Sequence, residues 1–93
     1  MRITGIIWLQ KISDKLLIKH HITQDEVEQV FDQNPQYRFL EKGKIDNEHV
    51  YAAYGRTNAG RYVTVIFIRK FGSRALVISA RNMDKKERKK YGK

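Results

Sequence analysis

The sequence predicts one α+β domain over residues 1–93, with a mostly antiparallel central sheet of four to five strands. Two N-terminal helices pack on this sheet, and a short helix follows at the C-terminus. Three observations predict it. The chain has 93 residues, enough for one modest core. In the first third of the chain, large side chains recur at helical spacing and a helix-capping pattern is present. Consecutive strand patterns joined by short turns fill most of the remainder.

The N-terminal elements are a short strand and a helix. Residues 3–8 predict the strand because β-branched and aromatic side chains dominate this segment. Residues 9–20 predict the helix because large side chains recur there at every fourth position. The recurring residues are Trp8, Ile12, Leu16 and His20.

The second helix carries a capping box at its start. Thr23 is the N-cap and Glu26 stands at N3, so each side chain can accept from the other residue's backbone amide. Ile22 and Val27 occupy the two positions of a hydrophobic staple. The Asn-Pro pair at 34–35 ends this helix.

After the proline the pattern changes to strands, predicted at 37–40, 49–56, 62–69 and 75–80. The turn at 57–60 predicts a hairpin between the second and third of these. Both faces of 62–69 are largely apolar, which predicts a central strand. Asp84 and Glu87 repeat the capping-box spacing before the final helix. The predicted order is therefore β-α-α-β-β-β-β-α.

The chain is strongly basic, with a formal net charge of +9. Residues 81–93 hold seven Lys/Arg and two acidic residues, so more than half of the excess lies on one terminal segment. This favours an anionic partner, most simply nucleic acid. A ribosome-associated role, an anionic membrane surface and an acidic protein partner are the alternatives.

The composition indicates the cellular compartment in which we expect the protein. The chain has no cysteine, which excludes disulfides and thiolate metal sites and fits a reducing compartment. No apolar run approaches the roughly 20 residues that span a bilayer, and the N-terminus lacks a small-residue cleavage site. We therefore expect a cytoplasmic protein without a membrane partner.

His20 and His21 stand where the first helix meets the second. A histidine near a helix C-terminus is held cationic by the helix dipole, which suits a phosphate contact or a general acid. Alternatively, one caps the helix and the other is solvated. Adjacent histidines point about 100° apart on a helix and do not chelate one ion comfortably. We expect neither a metal site nor a cofactor.

Arg81 ends an apolar strand directly before a helix N-terminus. That position holds a guanidinium rigidly beside free backbone amides, a good setting for a scissile phosphate. The equal alternative is a salt bridge that closes the sheet, to Glu48 or Glu87.

Further cations and tyrosines are distributed over the strand ends and the last helix. Tyr51, Tyr54 and Tyr62 lie among the arginines, which suits base stacking in single-stranded RNA or, alternatively, cross-strand packing. The helix lysines contact phosphate or form a solvated face. By elimination, any chemistry rests on His, Arg, Lys, Glu and Tyr, the residue types of metal-free RNA cleavage. The predicted RNA-binding residues are Arg61, Arg74, Lys85, Lys86, Arg88, Lys89 and Lys90.

Three blocks of the chain resemble the BrnT family of bacterial toxins. The first runs from Lys19-His20-His21-Ile22 through Val30-Phe31. The second is Tyr54-Gly55-Arg56-Thr57 with Gly60-Arg61 and the strand after it. The third and most specific is Ile78-Ser79-Ala80-Arg81 with Glu87-Arg88 and Tyr91.

The resemblance implies a RelE-like fold and a ribonuclease that inhibits translation. It also implies a BrnA-like ribbon-helix-helix antitoxin, through which the complex would bind promoter DNA indirectly. His20, Arg81 and Glu87 fall on matching motif positions, and Glu48 falls on an acidic one. With His21 and Arg56 added, these six are the predicted catalytic residues. The rival hypothesis is a non-catalytic module of the same fold that binds RNA or a partner.

The chain departs from the family pattern at three places. Leu9-Gln10 follows Trp8 where Trp-Asp is common. His21 replaces a common glycine, and His49 stands where arginine is frequent.

Overall fold

The computed structural model describes residues 1–91, so residues 92 and 93 of the predicted domain lie outside the described part. Its elements are β1 (Gly5–Ile7), α1 (Gln10–His20), α2 (Gln24–Asp32), β2 (Gln36–Glu41), β3 (Val50–Arg56), β4 (Tyr62–Lys70), β5 (Arg74–Asn82) and α3 (Lys85–Tyr91). The predicted order and the predicted α+β class are both confirmed.

The five strands form one sheet in the order β1-β5-β4-β3-β2. The four C-terminal strands pair antiparallel, and β1 pairs parallel with β5 at one edge. The predicted central strand is confirmed, because β4 lies in the middle and Val63, Val65 and Phe67 are fully buried. Two flanking strands on each side shield β4 from solvent.

The two N-terminal helices cover one face of the sheet and enclose the core. Phe67 lies at its centre, with the Phe31 ring edge-on at 5.4 Å and the Tyr51 ring stacked at 5.9 Å. Leu16 of α1 and Val30 of α2 pack into the same cluster. This apolar burial is the main stabilising contribution to the fold.

Gly55 of β3 allows α2 to pack close to the sheet. A Cβ atom at this position would lie 2.9 Å from Val30 Cγ1 and 3.3 Å from Val30 O. The helix therefore rests almost directly on the strand backbone at this point.

Both predicted capping boxes are present. At α2, the Glu26 amide donates to Thr23 Oγ1 at 3.1 Å and the Thr23 amide donates to Glu26 Oε1 at 3.0 Å. At α3, the Glu87 amide donates to Asp84 Oδ1 at 2.8 Å and the Asp84 amide donates to Glu87 Oε1 at 3.0 Å. Each box satisfies two amides that a helix start leaves without partners.

A β-bulge interrupts the pairing of β4 with β5. Phe67 pairs with Val77 while Ile66 pairs with Ser79, so Ile78 is an extra residue in β5. Beyond the bulge Ala80 faces the core, where it is fully buried. Arg81 therefore points to the opposite face, because successive strand residues alternate.

That opposite face, which we call the open face, carries neither α1 nor α2. The C-terminal helix α3 lies over one end of it, where β3 and β4 meet the end of β5. This end contains Arg56 of β3, Arg81 of β5 and the helix α3 with its predicted RNA-binding residues.

Candidate functional site

A row of three residues crosses the open face beneath α3. Tyr54 of β3 pairs with Thr64 of β4, and Thr64 pairs with Arg81 of β5. The register places the three side chains on the same face, with the outer two about 10 Å apart at the backbone. Glu87 of α3 lies above the middle of the row, because its Oε1 accepts from Thr64 Oγ1 at 3.1 Å.

Arg81 and Glu87 form a two-pronged ion pair. Arg81 Nη1 donates to Glu87 Oε1 at 2.7 Å, and Nη2 donates to Oε2 at 2.8 Å. Of the two partners left open by the sequence, the structure selects Glu87. This geometry is the strong, directional form of an arginine–carboxylate contact.

Hydrogen bonding also sets the protonation of this pair. The bond to Glu87 raises the pKa of Arg81 further above its already high value, so the guanidinium remains cationic. Partial burial by itself would raise the pKa of Glu87. The bonds from Arg81, the Asp84 amide and Thr64 outweigh burial, so the net pKa of Glu87 is lowered.

Two more arginines gather beside this pair, around Tyr62. The Arg56 guanidinium lies 5.0 Å from the Tyr62 ring centroid, and the Arg88 guanidinium lies 4.2 Å from it. Tyr91 meets the same ring edge-on at 5.9 Å. Cation–π contacts hold both guanidinium groups at the ring. We call Arg56, Arg81 and Arg88 the arginine cluster.

His20 and His21 lie at the same end of the sheet, at the junction of α1 and α2. The His20 side chain is half-buried and that of His21 is exposed. His21 has a φ of 53°, the left-handed conformation of a helix C-cap. Its backbone amide donates to the Leu17 carbonyl at 3.1 Å and the next amide, of Ile22, donates to the Leu16 carbonyl at 3.1 Å, so α1 ends here.

Arg61 ties this junction to the sheet. Its Nη1 and Nη2 donate to the carbonyls of His21 and His20 at 2.7 and 2.9 Å, and its Nε donates to Asn82 Oδ1 at 2.8 Å. Nη1 also pairs with Glu26 at 3.3 Å. Arg61, which was predicted to bind RNA, is thus occupied by contacts within the protein. These contacts fix the backbone of His20 and His21 relative to Asn82, the residue after Arg81.

Glu48 and Arg74 are not brought to this site. Glu48 precedes β3 and forms an ion pair with Lys70 at 2.6 Å, while Arg74 Nε donates to the carbonyl of Phe71. Both belong to the opposite end of the sheet. The seven residues of β3 separate the two ends by about 20 Å.

The four lysines of α3 are all exposed, and they divide by position. Lys86 and Lys90 line a cleft between the helix and the strands β2 and β3, whereas Lys85 and Lys89 do not. Within residues 1–91, three or more His, Cys, Asp or Glu side chains are nowhere grouped to hold a metal ion. In the same range, no helix is long and apolar enough to cross a membrane.

Comparison with known proteins decides the family. A family model described as "Ribonuclease toxin, BrnT, of type II toxin-antitoxin system" matches residues 8–87. The chain belongs to the BrnT family. The family that the three sequence blocks predicted is therefore confirmed.

A solved BrnT structure agrees with the fold. The 1.1 Å crystal structure of the ribonuclease toxin BrnT from Brucella abortus matches with a TM-score of 0.64 and 20% sequence identity. The match covers 88% of this chain and 99% of that one. The predicted α+β fold is confirmed with it, and the predicted RelE-like arrangement is consistent with this match. No curated protein matches the chain.

Two contributors to the site were not predicted from the sequence. Thr64 is fully buried and provides the hydroxyl beneath Glu87, and Asn82 accepts from Arg61. Thr64 had a detectable signal, because it is the one hydroxyl within the apolar run 63–68. Asn82 had none, since its partner is 21 residues away.

Proposed function

We propose that this BrnT-family protein is an endoribonuclease that cleaves RNA without a metal ion and thereby inhibits translation. The observation that supports it is the arginine cluster on the open face, in which Arg56 and Arg88 lie beside the row that ends at Arg81. Three cations held by rings and hydrogen bonds form a site for a phosphodiester. Membership of a family of ribonuclease toxins supports the reaction type.

The proposed reaction transfers two protons and neutralises one developing charge. A base removes the proton of the 2′-hydroxyl, which attacks the adjacent phosphorus, and an acid protonates the leaving 5′-oxygen. Arg81 and Arg56 stabilise the charge that develops on the phosphorane. His20 or His21 serves as the acid or base from the same end of the sheet, although the junction of α1 and α2 that carries them packs on the other face. Glu87 orients Arg81, and Glu48 has no part because of its distance.

We further propose that a ribbon-helix-helix antitoxin of the BrnA type neutralises the protein in the cytoplasm and carries the complex to DNA. The type II toxin–antitoxin family implies an antitoxin partner. The net charge of +9 favours a partner with acidic segments.

One observation favours the second candidate, a non-catalytic binding module. Both η nitrogens of Arg81 already donate to Glu87, so a phosphate must compete with an internal carboxylate for this guanidinium. A module that only binds RNA through α3 does not need a phosphate to displace Glu87 from Arg81.

Expression with and without the neighbouring reading frame tests the proposal. We expect growth arrest and fragmented RNA from the chain alone, and rescue by the neighbour. Purified protein should cleave RNA in excess EDTA, and Arg81→Ala should abolish cleavage while Arg74→Ala, at the opposite end of the sheet, retains it. Normal growth together with intact RNA at roughly micromolar protein would favour the binding module.

A further inference from the structure

A cleft of about 460 Å³ opens between α3 and the strands β2 and β3, beside the arginine cluster. This volume falls in the range of small-molecule sites in proteins, roughly 300–1,000 Å³. Its walls come from three elements: Arg38 on β2, Tyr54 on β3, and Lys86 and Lys90 on α3.

Tyr54 provides an aromatic surface that the fold leaves unused. Other tyrosines are occupied: Tyr62 by two arginines, and Tyr51 and Tyr37 by Phe67. Tyr54 has no stacked ring and no cation over its face within residues 1–91. Its side chain is half-buried and lines the cleft.

The cations of the cleft are also uncommitted. Within the described chain, Arg38, Lys86 and Lys90 form no ion pair. Of the two acids in the cleft wall, Glu87 is paired with Arg81, whereas Asp84 accepts from the Glu87 amide and keeps its charge. An anion entering the cleft therefore meets three cations that form no ion pair within residues 1–91, against the single negative charge of Asp84.

We propose that this cleft binds one unpaired nucleotide of a single-stranded RNA, with its base on the Tyr54 ring and its phosphate among Arg38, Lys86 and Lys90. The inference rests on the proposed ribonuclease function and names the substrate as single-stranded. Every base has a π-face, so stacking on one tyrosine accepts any base that is free of a duplex. The row from Tyr54 to Arg81 then places this nucleotide beside the phosphate that Arg81 would contact.

Binding of adenosine 5′-monophosphate to the purified protein tests the cleft without cleavage, because this probe contains no phosphodiester. Titrations followed by two-dimensional amide NMR should shift the resonances of residues 36–38, 54 and 84–90. Tyr54→Leu should weaken this binding roughly ten-fold, the loss expected for one stacked base, whereas Tyr54→Phe should retain it. Inorganic phosphate should bind more weakly than the nucleotide, and its affinity should be the same for the wild type and for Tyr54→Leu.

Two pairs of lysines on the same helix provide a charge-matched control. Replacing Lys86 and Lys90 by Gln should weaken nucleotide binding several-fold, while replacing Lys85 and Lys89 by Gln removes the same charge outside the cleft and should not. Equal losses in both double variants would show that general attraction by α3 explains binding and would overturn the inference. Shifts confined to other residues, equal affinity for phosphate alone, or binding only to an acidic peptide would overturn it too.

The outcomes separate this inference from the proposed function. If the protein cleaves RNA but the nucleotide does not bind at Tyr54, the cleft fails and the ribonuclease stands. If the nucleotide binds there but RNA remains intact, the nucleotide site stands and the ribonuclease fails.

Discussion

Glu87 accepts both prongs of the Arg81 guanidinium while its own backbone amide is bonded to Asp84 at the start of α3. The same carboxylate also accepts from Thr64 and from the Asp84 amide. One side chain therefore caps the helix, docks it on the sheet and orients the arginine at the proposed reaction centre.

Glu87→Gln should destabilise the docked helix more than it perturbs the core. The amide retains hydrogen bonding but loses the charge opposite Arg81, and the Arg81 side chain is 41% exposed, so solvent screening moderates the loss. We expect the free energy of unfolding to fall by about 1 kcal/mol. Chemical denaturation measures it. Glu41→Gln, an exposed strand residue, is the control and should be neutral.

The Glu87 contribution should depend on pH in acid. Its pKa is lowered in the folded protein, so the stabilisation is fully present above the ordinary Glu pKa of about 4.3 and is lost as pH falls through the folded value. The stability difference between wild type and Glu87→Gln should be constant from about pH 7 to 5 and shrink below about pH 4. A difference that persists unchanged in stronger acid would contradict the assigned ion pair.

Arg61→Ala should be a folding variant, although Arg61 is a predicted RNA-binding residue. It leaves the carbonyls of His20 and His21 and the Glu26 carboxylate without their donor. We expect a loss of about 2 kcal/mol in thermal or chemical unfolding. Arg74→Ala removes the same charge at a site with one exposed hydrogen bond and should cost much less. Equal effects would show that the clamp contributes nothing specific.

His21→Gly distinguishes the effect of the His21 backbone conformation on stability from the role of its imidazole in cleavage. The left-handed backbone at a φ of 53° strains a side chain but suits glycine, so stability should rise by about 0.5–1 kcal/mol. RNA cleavage should fall if the imidazole is the acid or base, and stay if His20 serves alone. Unfolding curves and cleavage rates on the same preparation distinguish these outcomes. A loss of stability would contradict the conformational argument.

Gly55→Ala should displace α2 from the sheet. The new Cβ would come within 2.9 Å of Val30 Cγ1, a distance that forces a shift, and overpacking of this kind costs about 1–3 kcal/mol. Gly5→Ala is the matched control, because its Cβ meets Arg74 Cγ at an ordinary 3.6 Å. Similar melting temperatures for the two variants would count against the close approach of α2.

Local signals in the sequence were sufficient for the elements and for both capping boxes. Thr23 with Glu26, and Asp84 with Glu87, are contacts three residues apart, which a linear pattern reveals. The central position of β4 followed from its two apolar faces.

Long-range partners were harder to predict. Arg61 with His20 joins residues 41 apart in the chain. Even Arg81 with Glu87, six residues apart, was one of two open partners. Glu48 was grouped with Arg81 because a match to a motif does not show at which end of a strand the residue lies. The separation appears only when β3 is laid out as an extended segment.

The bulge at Ile78 divides β5 into two halves of opposite phase. Counted from Val77 with strict alternation, Arg81 would point into the core and Ala80 toward solvent; the extra residue exchanges the two. Loss or gain of one residue in the segment Ile78-Ser79 would therefore turn Arg81 into the core and Ala80 toward the open face, with every later side chain unchanged. The spacing of this strand, as much as its residues, encodes where the guanidinium points.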